Sequence, residues 1–181
     1  VDRLSVLFPF VGIVVGLGAA DLAFSVHRAV RARSRWHALP AAWVALTLLF
    51  VALYWWVFAD IAGEGAFSTL LAFAFHLVGP LLVLVCAAAL PDDGGRHDLL
   101  AYYLSNRRHF FGLYTLLFAH GALDYGFNYG TWGRPQPWAL LVFGAATALL
   151  VVTERPAVHA AVTAALLAVC VAGAATLPLV L

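Results

Sequence analysis

The chain has no lysine, no methionine, one glutamine, two cysteines and few charges of either sign: 10% of its 181 residues are Asp, Glu, Lys or Arg. Each shortage excludes something. Soluble domains carry roughly 25% charged residues, so this charge content, with 64% hydrophobic residues and a mean hydropathy of +0.94, excludes a water-soluble fold. Without lysine no retinal Schiff base can form on this chain, and a light-driven rhodopsin is ruled out. Cys86 and Cys170 lie inside apolar runs. They form neither a disulfide framework nor a thiolate metal motif and read as small packing residues. There is no phosphate-cradling glycine loop, no His-Glu-x-x-His and no nucleophile elbow, so a non-enzymatic role is expected.

What is present is a series of long apolar runs. A bilayer core of roughly 30 Å takes about 20 helical residues to cross. Six segments qualify, at about 5–26, 39–60, 67–90, 108–127, 137–153 and 157–180. All the basic residues apart from histidine are arginines, and they fall in every second gap: Arg28, Arg31, Arg33 and Arg35, then Arg96, Arg107 and Arg108, then Arg155. The other gaps hold only Arg3 and Arg134, beside Asp60, Glu64 and Asp124. Basic loops stay in the cytoplasm, so loops 27–38, 91–107 and 154–156 are expected there, with both termini outside. Cleavage after Gly18-Ala19-Ala20 would strand the arginine cluster on the translocated side, so the first helix is expected to be retained.

The fold expected is all-α: a single integral membrane domain over 1–181, built as a bundle of six transmembrane helices. Gly12, Gly16 and Ala20, and Ala161, Ala165, Ala168 and Ala172, mark faces where backbones approach closely. They suit a compact bundle, a homo-oligomer or a membrane protein partner. An internal echo relates Gly18-Ala19-Ala20-Asp21-Leu22-Ala23-Phe24 to Gly121-Ala122-Leu123-Asp124-Tyr125-Gly126-Phe127. Read as a repeat, it makes two inverted three-helix halves, a layout common in transporters.

Ionisable groups at membrane depth point to function, and Asp21, His76, His120 and Asp124 are the candidates. His76 lies about 13 Å and His120 about 10 Å from the outer ends of the third and fourth helices at the helical rise, so the two histidines share a depth. Asp124 follows His120 at i+4, on the same helical face, and Asp60 at the outer end of the second helix can close the group. His76, His120, Asp124 and Asp60 thus form a candidate site for a divalent metal. The two histidines are alternatively axial ligands of a haem b, and structural polar glue between helices accounts for the same residues. Gly79-Pro80 is expected to bend the third helix beside His76. Asp21 is expected to pair with Arg28, Arg107 or Arg108. His27, His37, His97, His109 and His159 read as solvated loop residues. Tyr102, Tyr103, Trp36, Trp55, Trp56, Trp132 and Trp138 read as interfacial anchors.

The stretch Arg31-x-Arg33-Ser34-Arg35-Trp36-His37, the following helix ending in Trp55-Trp56, and the block Asp98-Leu-Leu-Ala-Tyr-Tyr…Arg107-Arg108-His-Phe-Phe resemble a widespread group of small bacterial integral membrane proteins. The resemblance covers roughly the first two-thirds of the chain. It implies six helices and a bacterial inner membrane, and it implies no activity and no site residues. The functional expectation is a small transporter or channel-like protein handling a proton or cation in its outer half. The alternatives are a haem-binding electron-transfer protein and a non-catalytic subunit or scaffold. The expected partner is the lipid bilayer. The arginine loop is too short for nucleic acid recognition, although anionic headgroups suit it.

Overall fold

The computed structural model describes residues 3–63, 74–79, 81–82, 90–91, 93–128 and 130–176, without the side chains of 3–8, 56–63, 128 and 174–176. Helix α1 (Arg3–Arg31) and helix α2 (Ala38–Gly63) are followed by a helical piece, α3 (74–79). A short surface helix, α4 (Leu99–Ser105), leads into α5 (Arg107–Leu123), which continues as a π-helical turn over Asp124–Asn128. Helices α6 (Pro135–Val152) and α7 (Pro156–Thr176) complete the bundle. Both begin on a proline, whose fixed φ and missing N–H suit the first helical position.

Four of these helices are long and apolar enough to cross a membrane: Pro9–Arg31, Ala38–Trp55, Pro135–Val152 and Pro156–Gly173. The protein is a multi-pass membrane protein. The expected six transmembrane helices are corrected to these four among the described residues. Most of the third expected span, 67–90, lies outside the described residues, as do Cys86 and Pro80. The fourth is corrected for a physical reason. Helix α5 has 17 residues, opens on Arg107, Arg108 and His109, and gives way to the π turn at Asp124. It packs along α6.

The two inverted halves are corrected as well. In a repeat, Asp21 and Asp124 would be equivalent, yet α1 runs on as an α-helix past Asp21, whereas Asp124 opens a π turn. Asp21 is exposed and Asp124 is buried. Nor does Asp21 form the expected ion pair among the described residues: Arg28 donates to Ser25 Oγ at 2.9 Å, and Arg107 pairs with Glu154.

In lipid, apolar burial gives no driving force between helices, and close packing with hydrogen bonds replaces it. The core is accordingly aromatic. Trp43 of α2 meets Phe111 edge-on at 4.8 Å and Tyr114 at 5.0 Å, with Leu46, Phe118, Leu150 and Leu166 around them. Gly144 sits in the α5–α6 seam, where a Cβ would make ordinary contacts of 3.6 Å with Phe118 Cβ and 3.8 Å with the Thr115 carbonyl. The Thr115 and Thr147 hydroxyls meet across the same seam at 3.1 Å.

The basic loops gather at one end. Helix α1 closes in a Schellman motif: Ser34 N–H reaches Ala29 O at 3.1 Å, Arg33 N–H reaches Val30 O at 3.0 Å, and Arg33 takes the left-handed position at φ 53°. The next residue, Arg35, forms a backbone bridge to the loop before α4, donating to His97 O at 2.8 Å and accepting from Leu99 N–H at 3.1 Å. Asp98 caps α4 through Oδ1 to the N–H groups of Leu100 and Ala101, and pairs with Arg35 at 3.6 Å. Arg107 reaches Glu154 in the loop before α7. Since α1 ends and α7 begins at this basic end, Arg3 of α1 and Thr176 of α7 lie toward the other.

Candidate functional site

The end away from the basic loops holds a buried pair. Helix α5 carries Asp124 about 25 Å from Arg107 at the helical rise, and α3 presents His76 to it. Nδ1 of His76 donates to Oδ2 of Asp124 at 2.7 Å, and each side chain is 6% exposed. Tyr54 of α2 lies against the His76 ring at 5.9 Å between centroids. The π turn starts at Asp124, whose N–H is shared between the carbonyls of Gly121 and His120. Such turns insert one extra residue into a helix and are frequent at functional sites. Here Gly126 faces Trp132 so closely that a Cβ would stand 2.0 Å from its ring, so only glycine fits.

His120 is turned aside from this pair. Its Nε2 donates to the Phe75 carbonyl at 2.8 Å, and its ring stacks on Phe75 at 4.6 Å. Gly79 makes room, since a Cβ there would meet Tyr54 at 3.3 Å and His120 Nδ1 at 3.7 Å. The side chain of Asp60 lies outside the described residues. Among the described residues, no three His, Cys, Asp or Glu side chains converge as a metal would require. The structure therefore brings His76 and Asp124 together as a pair and gives His120 a partner of its own.

No family model, curated protein or solved structure matches this chain. The reading of its sites rests on their chemistry alone.

A second buried polar cluster sits at the basic end, where sequence reasoning saw only solvated residues and anchors. His159, one turn into α7, is fully buried. Its Nε2 donates to the Thr153 carbonyl at 3.0 Å, so in the neutral ring Nδ1 accepts from the Tyr103 hydroxyl at 2.8 Å. Thr163 Oγ1 donates to His159 O at 2.6 Å and accepts from Trp43 Nε1 at 2.9 Å. Thr47 donates to the Trp43 carbonyl at 2.7 Å, which leaves the Tyr114 hydroxyl to donate to Thr47. These bonds tie α2, α4, α5 and α7 together, each buried group holding a partner as the low dielectric demands. On α4, outside the spanning segments, burial pushes the Tyr103 phenol above its ordinary value. The phenol stays protonated, as a donor to His159 must. A sequence signal for this cluster was present in His159 and Thr163 at i, i+4 behind Pro156, which put two polar groups on one inner face of α7.

Arg107 joins the cluster's edge. It is mostly buried, donates to Leu104 O at 2.8 Å and pairs with the exposed Glu154. A pair with one partner in water adds little stability, so its main effect is to tie the α6–α7 loop to the start of α5.

Proposed function

We propose that this is a small, non-enzymatic transporter or channel-like membrane protein that handles a proton at the His76–Asp124 pair. The observation that carries the reading is the 2.7 Å hydrogen bond between two ionisable side chains, each 6% exposed, at the end of a membrane bundle. Intramembrane ionisable groups are costly and are retained where protons or ions move. The clustering of the basic loops supports a cytoplasmic position for that end, in a bacterial inner membrane, with both termini outside and the pair facing the outer side.

Purified protein reconstituted into vesicles containing a pH-sensitive dye should carry protons down an imposed gradient. Asp124→Asn and His76→Gln should each lower the rate about tenfold or more, as loss of a positioned proton carrier does. Rates within twofold of the wild type in both variants would overturn the reading. Cysteine introduced as Arg33→Cys in a background lacking Cys86 and Cys170 should react with an impermeant maleimide only after cells are opened. Labelling of intact cells at that position would reverse the orientation.

A further inference from the structure

The contact between His76 and Asp124 depends on how α3 is turned about its axis. A side-chain atom about 5 Å from a helix axis moves about 1.7 Å when the helix turns by about 20°. That shift would stretch the 2.7 Å bond of the pair beyond hydrogen-bonding range. Apolar packing is non-directional and does not fix a rotation so finely. On one side of α3, Leu77 packs with Tyr54 of α2 against Val11 and Val15 of α1. On the other side α5 grips it twice. His120 donates through Nε2 to the Phe75 carbonyl at 2.8 Å and stacks on the Phe75 ring at 4.6 Å. One turn further along α5, Asp124 takes the next residue of α3, His76. Gly79 follows Phe75 at i+4 and His76 at i+3, on the face they share, and its missing side chain leaves the room in which Tyr54 and His120 approach.

We propose that His120 is a positioning residue for proton transfer at the His76–Asp124 pair: its bond to the Phe75 carbonyl sets the rotation of α3 that brings His76 Nδ1 to Asp124. The acceptor is what matters. A bond to a backbone carbonyl holds the helix itself, whereas a bond to a side chain would hold only a group that can swing. A carbonyl oxygen has two lone pairs and can accept from His120 beside a bond within the helix. Nε2 carries its proton both in the imidazolium and in one neutral tautomer, so the grip does not depend on the charge of His120. His120 and Asp124 stand at i and i+4 on one face of the same helix, so the grip and the pair move together. The inference rests on reading His76–Asp124 as the proton-handling pair and concerns what sets its geometry.

Two variants separate the donor from the ring. His120→Phe keeps a ring on Phe75 and loses the N–H, while His120→Gln keeps an N–H donor near the place of Nε2. Two readouts follow each of them: proton flux into vesicles, and nuclear magnetic resonance of the full chain carrying isotope-labelled histidine. In the second, the Nδ1 proton of His76, bonded to a carboxylate, gives a far-downfield resonance, assigned by its loss in His76→Gln. His120→Phe should abolish that resonance and lower the flux about tenfold, the cost of misplacing a reacting group. His120→Gln should keep the resonance and a flux within about twofold of the wild type. In an Asp124→Asn background His120→Phe should lower the remaining flux no further, as two residues acting through one step do. Circular dichroism identifies the folded variants. A resonance that persists in His120→Phe, its loss from folded His120→Gln, or a further loss of flux in the Asp124→Asn background overturns the proposal. The comparison of His120→Gln with the wild type stands even where His120→Phe does not fold. A wild-type protein that carries no protons overturns the reading of the pair as a proton carrier, and the resonance then still decides whether His120 sets the contact.

Discussion

Replacing Tyr103 with Phe removes one hydroxyl from the most completely enclosed polar cluster of the bundle and little else. The ring remains, with its edge-on contacts to Phe111 at 5.6 Å and His159 at 5.4 Å, so no cavity opens. What changes is His159 Nδ1. The ring is fully buried and its other nitrogen is committed to the Thr153 carbonyl, so the loss of the 2.8 Å bond leaves a buried acceptor unmet. An unsatisfied buried group costs about 1–3 kcal/mol, and side-chain hydrogen bonds in a membrane protein average about 0.6 kcal/mol with a maximum near 1.7. Since His159 has no route to water, a loss of about 1.5 kcal/mol is expected, near the overlap of the two ranges. Detergent-driven unfolding followed by circular dichroism measures it. In a His159→Leu background the same Tyr103→Phe change should cost no more than about 0.3 kcal/mol, because the acceptor has gone, giving a coupling near 1 kcal/mol. An alkaline limb should accompany this. Burial raises the Tyr103 phenol in the folded state, so its contribution is complete below the unfolded value of about 10 and is lost as pH rises beyond it. The Tyr103→Phe protein should lack that part of the alkaline decline. An equal cost of Tyr103→Phe in both backgrounds would refute the argument, since it would show that the hydroxyl is not acting through His159.

Three further changes test other parts of the structure. Gly126→Ala forces a Cβ into the Trp132 ring and should destabilise by about 1–3 kcal/mol, with a shift in tryptophan emission as the ring moves. Arg33→Gly relieves a left-handed residue at the end of α1; the relief of about 1–2 kcal/mol is partly offset by the entropy of glycine, so unfolding should show a gain below about 1 kcal/mol. In the loop before α4, the Gly95 N–H at 3.0 Å and then His97 at 2.7 Å hold the Asp93 carboxyl below the usual carboxylate range. A lowered value contributes order above the unfolded value of about 3.9 and loses it as pH falls. Exchange of the Gly95 amide, corrected for its intrinsic rate, should therefore accelerate on acidification in the wild type and show no such step in Asp93→Asn.

The sequence conveys membrane embedding and the segregation of charge plainly, because both depend on composition over long windows. The apolar run at 39–60 and the helix Ala38–Gly63 begin within a residue of each other, since Pro40 and the preceding basic loop punctuate that end. Helix α1 extends to Arg31, beyond the apolar run that closes near 26, because a helix ends where its backbone is capped, at Arg33, and not where hydropathy falls. The number of spans was misread at α5, an apolar segment of 17 residues that opens on Arg107, Arg108 and His109 and stops at the π turn. Depth matching put His76 beside His120, with Asp124 one turn further out; which of them His76 meets depends on a rotation about each helix axis that depth does not specify, and that freedom gave His76 to Asp124 and turned His120 to Phe75. His159 and Tyr103 were misread because closeness to a charged loop was taken for exposure. The loop 153–155 is so short that α7 re-enters the bundle within one turn, taking His159 with it.

The π turn makes residue count in this segment a conserved quantity of the fold. In it one extra residue is held per turn, so deletion of Tyr125 would let α5 continue in regular phase, and every downstream position would rotate by about 100° relative to Asp124. Gly126 would leave Trp132, and the turn into α6, where Trp138 Nε1 donates to Trp132 O at 2.9 Å, would lose its register. Substitutions here change a contact. A one-residue deletion changes the angular setting of the whole α5–α6 connection, so across 124–128 changes of length should be far less tolerated than changes of type.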